Sequence, residues 1–263
     1  MNKQPGPIAK LLDGEDFSAK LKAEIKLAKT IQNSLSPIDD IYWNTIALNS
    51  SYIPAEELGG DFYDLLRLND NEYIIYVADV AGHGIHTAML AVYMRERVKI
   101  NINAAIEGTG KLLPKLVHDF CKLNLDDTIY ITMVLCKYVK SSHELIISNA
   151  GHSCFPLIVR KGGRTETIPA RGIPICKIAE GENYNEETTG ILPGDRLVLF
   201  TDGIILGAGG AKDSFGLEAI KTLAGKYNEY VGNRLAGKIM DESCCSFVNK
   251  KDDRSIIVAD ILS

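Results

Sequence analysis

Apolar and polar positions along this chain change period several times, and each change marks an element. Phe17, Leu21, Ile25, Ala28, Ile31 and Leu35 recur at steps of three and four, with Lys20, Lys22, Glu24, Lys26 and Lys29 between them. That spacing predicts an amphipathic helix with one apolar stripe, closed by Pro37. The stripe can pack on the body of the same chain or pair with a second protomer as a short coiled coil. Beyond it, β-branched and aromatic runs predict strands over residues 43–52, 62–68 and 73–78. Ala88, Met89, Val92 and Tyr93 share one face of a helix that starts near Ile85, and Leu113, Leu116, Val117 and Phe120 predict another over 111–124. Short strands follow at 129–138, 144–148, 155–160 and 196–200, then helices over 215–227 and 233–247, and a last strand at 254–261. Consecutive strands with few helices among them indicate an α+β fold, with antiparallel sheets covered by helices.

Composition narrows the class. The 263 residues can form one large domain or two small ones, either able to bury a substantial core. A 46% hydrophobic and 24% charged chain is ordinary for a soluble globular protein. A net charge of −5 argues against a general nucleic-acid or membrane surface. No apolar run approaches the ~18 residues of a membrane-spanning helix, and MNKQPGPIAKLLDGED lacks the apolar centre of a signal peptide. The six cysteines form no CxxC pair and no disulfide framework, so a reduced, cytoplasmic protein is expected.

Acidic residues then change the picture. In YVADVAGHGIHTAML an apolar strand ends in Asp79 and turns through Gly82, His83 and Gly84. LVLFTDGI repeats the pattern with Asp202 and Gly203; GGDFYD sets Asp61 behind two glycines with Asp64 three residues on; KKDDRSIIVADI puts Asp252 and Asp253 just before a strand. Any one of these aspartates could be a helix cap or turn former. If the strands lie together, the acids converge and repel, and such a cluster calls for cations. An all-oxygen donor set without zinc-type His/Cys spacing favours Mg²⁺ or Mn²⁺. Two such ions can share a bridging carboxylate and clamp a phosphoryl group for in-line attack by water.

GGDFYDLL, VADVAGHGIHTAML, TMVLCKYVKSSHELIISNAGH, LPGDRLVLFTDG and DDRSIIV occur in the order found in the PPM superfamily of metal-dependent Ser/Thr protein phosphatases. The chain resembles most its bacterial SpoIIE/RsbU-type branch, from about Gln32 to Ile261. The resemblance implies two central antiparallel sheets packed as a sandwich and flanked by helices (an α-β-β-α order), with a site for two Mn²⁺ or Mg²⁺ ions at one edge. It implies metal binding by Asp61, a bridging role for Asp79 with the Val80 backbone carbonyl beside it, and further ligands in Asp202 and Asp252, with Asp253 the less favoured of its pair. The implied chemistry is attack by metal-bound water on a phosphoserine or phosphothreonine, with no phosphoenzyme.

Other residues carry weaker signals. His83 can protonate a leaving oxygen or serve as a loop residue hydrogen-bonded to a carboxylate. His86 reads as structural or exposed, His152 of NAGHS as a turn residue, and the vicinal Cys244 and Cys245 as partly buried on an amphipathic helix. The stretch IILGAGGAKDSFG lacks the acidic residue many relatives carry after TDG, and its glycines match no phosphate-binding loop; a mobile segment by the site is expected there. Arg67, expected on a strand, is the nearest arginine to the first motif, so phosphate would be held mainly by metal.

The organisation expected is an N-terminal tail and regulatory or dimerising helix at 1–40 and a catalytic domain at 41–263. Residues 1–40 are too short for a sensory domain, so regulation is expected from another protein, oligomerisation or metal availability. The leading function is hydrolysis of a phosphorylated STAS-domain protein, such as an anti-sigma-factor antagonist, in a partner-switching pathway. A catalytically weak phosphoprotein-binding module and a small-molecule phosphatase are the alternatives.

Overall fold

The computed structural model describes residues 14–35, 40–205, 216–229, 232–245 and 252–262. Helix α1 (Gly14–Leu35) precedes β1 (Asp40–Tyr42), β2 (Ile46–Ile53), β3 (Phe62–Arg67) and β4 (Glu72–Val80). Helices α2 (Ile85–Asn101), α3 (Ala104–Glu107) and α4 (Thr109–Cys121) lead to β5 (Ile131–Val139) and β6 (Glu144–Ala150). The short strands β7 (Leu157–Val159), β8 (Thr165–Thr167) and β9 (Glu187–Gly190) come next, then β10 (Arg196–Phe200), helices α5 (Gly216–Lys226) and α6 (Gly232–Cys245), and β11 (Arg254–Ile261).

The strands form two antiparallel sheets, one ordered β1-β2-β11-β10-β7-β8 and the other β3-β4-β5-β6-β9. Both sheets are covered on both faces, which is why their central strands read as unbroken apolar runs rather than alternating ones. In β4, Tyr73, Ile75 and Val77 join the core between the sheets, whereas Ile74, Tyr76, Ala78 and Val80 face α2 and α4. In β10, Leu197 and Leu199 point between the sheets while Val198 and Phe200 meet α5 and α6. The result is the expected α-β-β-α sandwich with an N-terminal helix. Three apolar layers hold it, and each fully buried large side chain adds about 1.5–3 kcal/mol.

Several expectations shift in the structure. The strand expected at 43–52 is β2 and starts only at Ile46, because Trp43 donates its N–H to the Ile46 carbonyl and closes a tight turn; the short β1 before that turn was not expected. Strands β8 and β9, TET and ETTG, are polar and short and gave no pattern to read. Along α1 only Ile25 and Ala28 of the stripe turn inward; Phe17, Leu21, Ile31 and Leu35 are exposed. Arg67 does end a strand, and there it pairs with Asp70. The glycine-rich stretch after Ile205 and the side chains of Cys244 and Cys245 lie outside the described residues. Among those described, Cys121, Cys136, Cys154 and Cys176 are free thiols, and no helix is long and apolar enough to cross a membrane.

Candidate metal centre

The acids gather because antiparallel pairing brings the relevant strand ends to one edge of the sandwich. Phe62 pairs with Ala78, so Asp61, just before β3, comes beside Asp79 near the end of β4. Phe200 pairs with Ile256, which places Asp202 after β10 near Asp252 and Asp253 before β11. The two sheets are tied together at Asp61. Its Oδ2 accepts hydrogen bonds from Thr201 Oγ1 at 2.8 Å and Ser255 Oγ at 2.6 Å, while its buried Oδ1 has no hydrogen-bond partner. Thr201 and Ser255 are also laced to each other through Ser255 N–H to Thr201 Oγ1 at 3.0 Å.

Burial and mutual repulsion act together on these groups. Burial first, then the charge of Asp79 and Asp253, pushes the Asp61 carboxyl well above its usual range, against the hydrogen bonds from Ser255 and Thr201. Asp79 is pushed up to about 7, by burial and then by Asp202, Asp252 and Asp253, with the adjacent Asp61 carboxyl opposing. Asp252 is raised to about 6 by burial and by Asp202. The acids interact as neighbouring pairs; among the described residues no three of them close on one point as a finished metal cage.

The two adjacent aspartates of the DDRS stretch behave differently. Asp253 is buried and accepts from the Ala55 N–H at 2.7 Å and the Gly60 N–H at 2.5 Å. It therefore fastens the loop that delivers Asp61, and both of its oxygens are occupied. Asp252 keeps part of its surface open to solvent, accepts the Asp253 N–H at 2.9 Å as its one hydrogen bond among the described residues, and faces Asp202. The turn after β10 presses so close to this segment that a Cβ at Gly203 would collide with the Asp253 carbonyl, so only glycine fits. In the turn after β4, Gly82 and Gly84 hold φ of 101° and 102°, which admits a sharp exit into α2. Val80 is fully buried, its N–H bonded to the Gly60 carbonyl at 3.4 Å.

The histidines separate by environment. His83 is exposed, and its Nδ1 lies 2.8 Å from Glu56 Oε1, so its carboxylate partner is a loop glutamate and not a strand-end aspartate. His86 is exposed on the first turn of α2. His152 is buried, with Nε2 3.0 Å from the Phe200 carbonyl and Nδ1 2.9 Å from Thr132 Oγ1. A carbonyl can only accept, so Nε2 carries the proton and Nδ1 accepts from the threonine; burial lowers the pKa and keeps the ring neutral. It locks the NAGH turn against the end of β10. Sequence reasoning missed Thr201 and Ser255, although each is a hydroxyl residue one to three positions from a motif aspartate. It also missed Gln32 of α1, whose side-chain amide donates to the Gly59 carbonyl at 2.7 Å.

Asp79 and Asp202 line a cleft of about 340 Å³ together with Thr132, His152 and Ser153. The residues at its acidic end have the chemistry of a site for hard divalent cations: every donor is oxygen, Asp61 Oδ1 is buried with no partner, and the carboxylates raise one another's pKa.

Comparison with known proteins agrees with this fold. The Stage II sporulation protein E (SpoIIE) family model matches residues 69–262. The phosphoserine phosphatase RsbU of Bacillus subtilis is 25% identical over 186 residues, which cover 70% of this chain and 54% of RsbU. The chain thus spans about half the length of that curated relative. The SiaA-PP2C domain of Pseudomonas aeruginosa superposes with a TM-score of 0.78 at 18% identity, covering 94% of this chain and 98% of that one. The catalytic domain of the serine/threonine phosphatase PstP, solved with two manganese ions, gives a TM-score of 0.59 at 11% identity, covering 83% of this chain and 99% of that one.

Proposed function

This chain belongs to the Stage II sporulation protein E family, and on that premise we propose that it is a metal-dependent protein serine/threonine phosphatase. The observation that carries the reading is the meeting of Asp61, Asp79, Asp202 and Asp252 from four separate segments at one edge of the sandwich. In this reading these four, with the Val80 carbonyl, would hold two Mn²⁺ or Mg²⁺ ions, with Asp79 as the ligand available to both. Such ions supply a nucleophilic water near neutral pH and neutralise charge on the phosphoryl group. The chain's own part is positional. Thr201 and Ser255 fix the Asp61 carboxylate, Asp253 fixes the loop that bears it, and His152 ties the NAGH turn that lines the cleft to the end of β10. His83 remains a rim residue that could pass a proton to the leaving oxygen, and His83→Ala tests that through the pH profile.

The substrate we infer is a phosphorylated STAS-domain protein of a partner-switching pathway, supported by the likeness to RsbU. The catalytic unit is 41–263, and 1–40 is regulatory. Gln32 connects α1 to Gly59, two residues from Asp61. A second copy of the chain or a regulatory protein covering the exposed stripe of α1 would therefore act on the loop that presents a ligand. The test is Mn²⁺-dependent release of phosphate from p-nitrophenyl phosphate and from a phosphorylated STAS protein encoded nearby. Full activity after exhaustive chelation, with metal analysis showing none bound, would overturn the two-metal reading; activity on the aryl ester alone would overturn the substrate.

A further inference from the structure

The metal cleft does not end at its own wall. Tyr130 and Pro174 line it, and the same two residues line a second, more apolar hollow of about 390 Å³ formed with Ile173, Cys176, Lys177 and Ile178. The two hollows are therefore neighbours across a shared Tyr-Pro wall. In the second, Ile178 is 80% exposed and Tyr130 42% exposed, although each directly precedes a buried core residue, Ala179 and Ile131. An isoleucine turned into solvent beside a reaction cleft needs an explanation when the residues around it are so firmly held.

The segment that carries it is pinned from several sides. Ile131 and Ile175 exchange two backbone hydrogen bonds of 2.9 Å each, which adds residue 175 to the end of β5. Ile175 and Ala179 are buried in the core under α4. The Ala179 N–H bonds the Cys176 carbonyl at 3.1 Å, and Lys177 Nζ reaches Asp127 Oδ1 at 2.8 Å. Pro174 packs where a Cβ at Gly151 would sit, so the segment abuts the NAGH turn. Held this way, Ile178 presents its side chain on a rigid support and loses little entropy on contact, the property of an anchor site in a peptide interface.

We propose that this hollow docks the polypeptide beside the phosphorylated residue of the substrate. The occupant is a segment of the phosphoprotein with an aliphatic side chain a few residues from the phosphoserine or phosphothreonine, seated against Tyr130, Pro174 and Ile178. Continuity with the cleft carries the assignment: a chain whose phosphate lies between Asp79 and Asp202 must leave over some wall, and the Tyr130–Pro174 wall leads into an apolar hollow. The ion-paired Lys177 at its edge leaves the floor free for an uncharged side chain. This inference rests on the phosphatase reading above and gives that site a source of selectivity that the metals cannot supply, since they contact only phosphate.

The test uses the full chain with Mn²⁺, p-nitrophenyl phosphate, and short Gly/Ser phosphoserine peptides in which one leucine is moved through the three positions on either side of the phosphoserine. One leucine position should raise kcat/KM about 10-fold over the leucine-free peptide, chiefly by lowering KM, which corresponds to about 1.4 kcal/mol. Ile178→Asp should erase that preference while the aryl ester is hydrolysed as before, and Ile178→Leu should keep it. A wild-type protein indifferent to leucine, or an Ile178→Asp variant that retains the preference, overturns the docking site. So does an equal loss on peptide and aryl ester, or a shift in elution volume showing that the hollow joins two copies. Absence of any Mn²⁺-dependent hydrolysis by the wild type is a different result: it overturns the phosphatase reading, and this site with it.

Discussion

Asp61 and Asp64 stand three residues apart in GGDFYD, both are buried, and they are opposites. Asp64 Oδ2 lies 2.7 Å from the Arg95 guanidinium of α2, which works against the upward push of burial on its carboxyl. Asp61 has two hydroxyl donors on one oxygen, nothing on the other, and a second carboxylate for a neighbour. A buried acid with its own cation completes a core; a buried acid set among other acids is costly until a cation arrives. The strand's alternation sends Asp64 toward the helices with Phe62, whereas Asp61 lies before the strand at the sheet edge. One motif thus supplies both a structural ion pair and a candidate metal ligand.

The sharpest way to break that contrast is at the cluster. Asp79→Asn and Asp202→Asn should each lower the Mn²⁺-dependent rate on an aryl phosphate about 100-fold or more, or about 2.7 kcal/mol of barrier. The melting temperature of the metal-free Asp79→Asn variant should rise, since a repelling charge is gone. Near-normal rates at limiting Mn²⁺ would remove these residues from the site. At the ion pair the effect should fall on stability. Arg95→Met leaves Asp64 buried and unpaired and should cost about 3–5 kcal/mol in urea unfolding; an unchanged midpoint would mean that the pair is ornamental to the core.

Asp252 and Asp253 offer the same contrast on a smaller scale. Asp253→Ala frees two backbone N–H groups and should destabilise by about 1–3 kcal/mol, whereas Asp252→Ala should weaken Mn²⁺ affinity in calorimetric titration and leave the unfolding midpoint in place. Equal effects of the two on stability would contradict the division of labour. The pH dependence follows with its sign. In the metal-free fold Asp79 titrates near 7 rather than 3.8, so the folded state holds a proton that the unfolded chain has released. Its contribution is whole below pH ~4 and is lost as pH rises through ~7. Thermal melts without metal should therefore fall between pH 5 and 7.5, and saturating Mn²⁺ should flatten the fall; a rise over that window refutes the burial and repulsion assigned to Asp79. The smallest effect is expected at α1, where Leu21→Ser with Ile31→Ser should shift self-association or rate and leave the catalytic fold intact. Identical elution and kinetics would reduce the helix to packing.

Much of this was legible in the chain. Tyr73 to Ala81 is apolar but for Asp79, rich in β-branched and aromatic residues and bounded by turn residues, the pattern of a strand covered on both sides, so the long strands β4, β5, β10 and β11 announced themselves, as did the period of α2 and α4. The motif aspartates were visible because a carboxylate closing an apolar strand beside glycine is unusual in four places at once. The short polar strands β8 and β9 were not, since their pairing with β7 and β6 comes from the neighbours and not from their own side chains.

What the sequence determined by itself is therefore the layered α+β class, the long elements and the acids that matter, because hydrophobic period and strand-end charge are local properties written in consecutive residues. Only the tertiary structure decided which acid has which task. It gave Arg95 to Asp64, two backbone N–H groups to Asp253, two hydroxyls from the other sheet to Asp61, and left Asp252 open. It also left most of the α1 stripe exposed and stood Ile178 beside the cleft. Those assignments depend on partners 31 to 198 residues away in the chain, and the charge state of a carboxylate is fixed by what lies within a few ångströms in space, which no window of sequence contains.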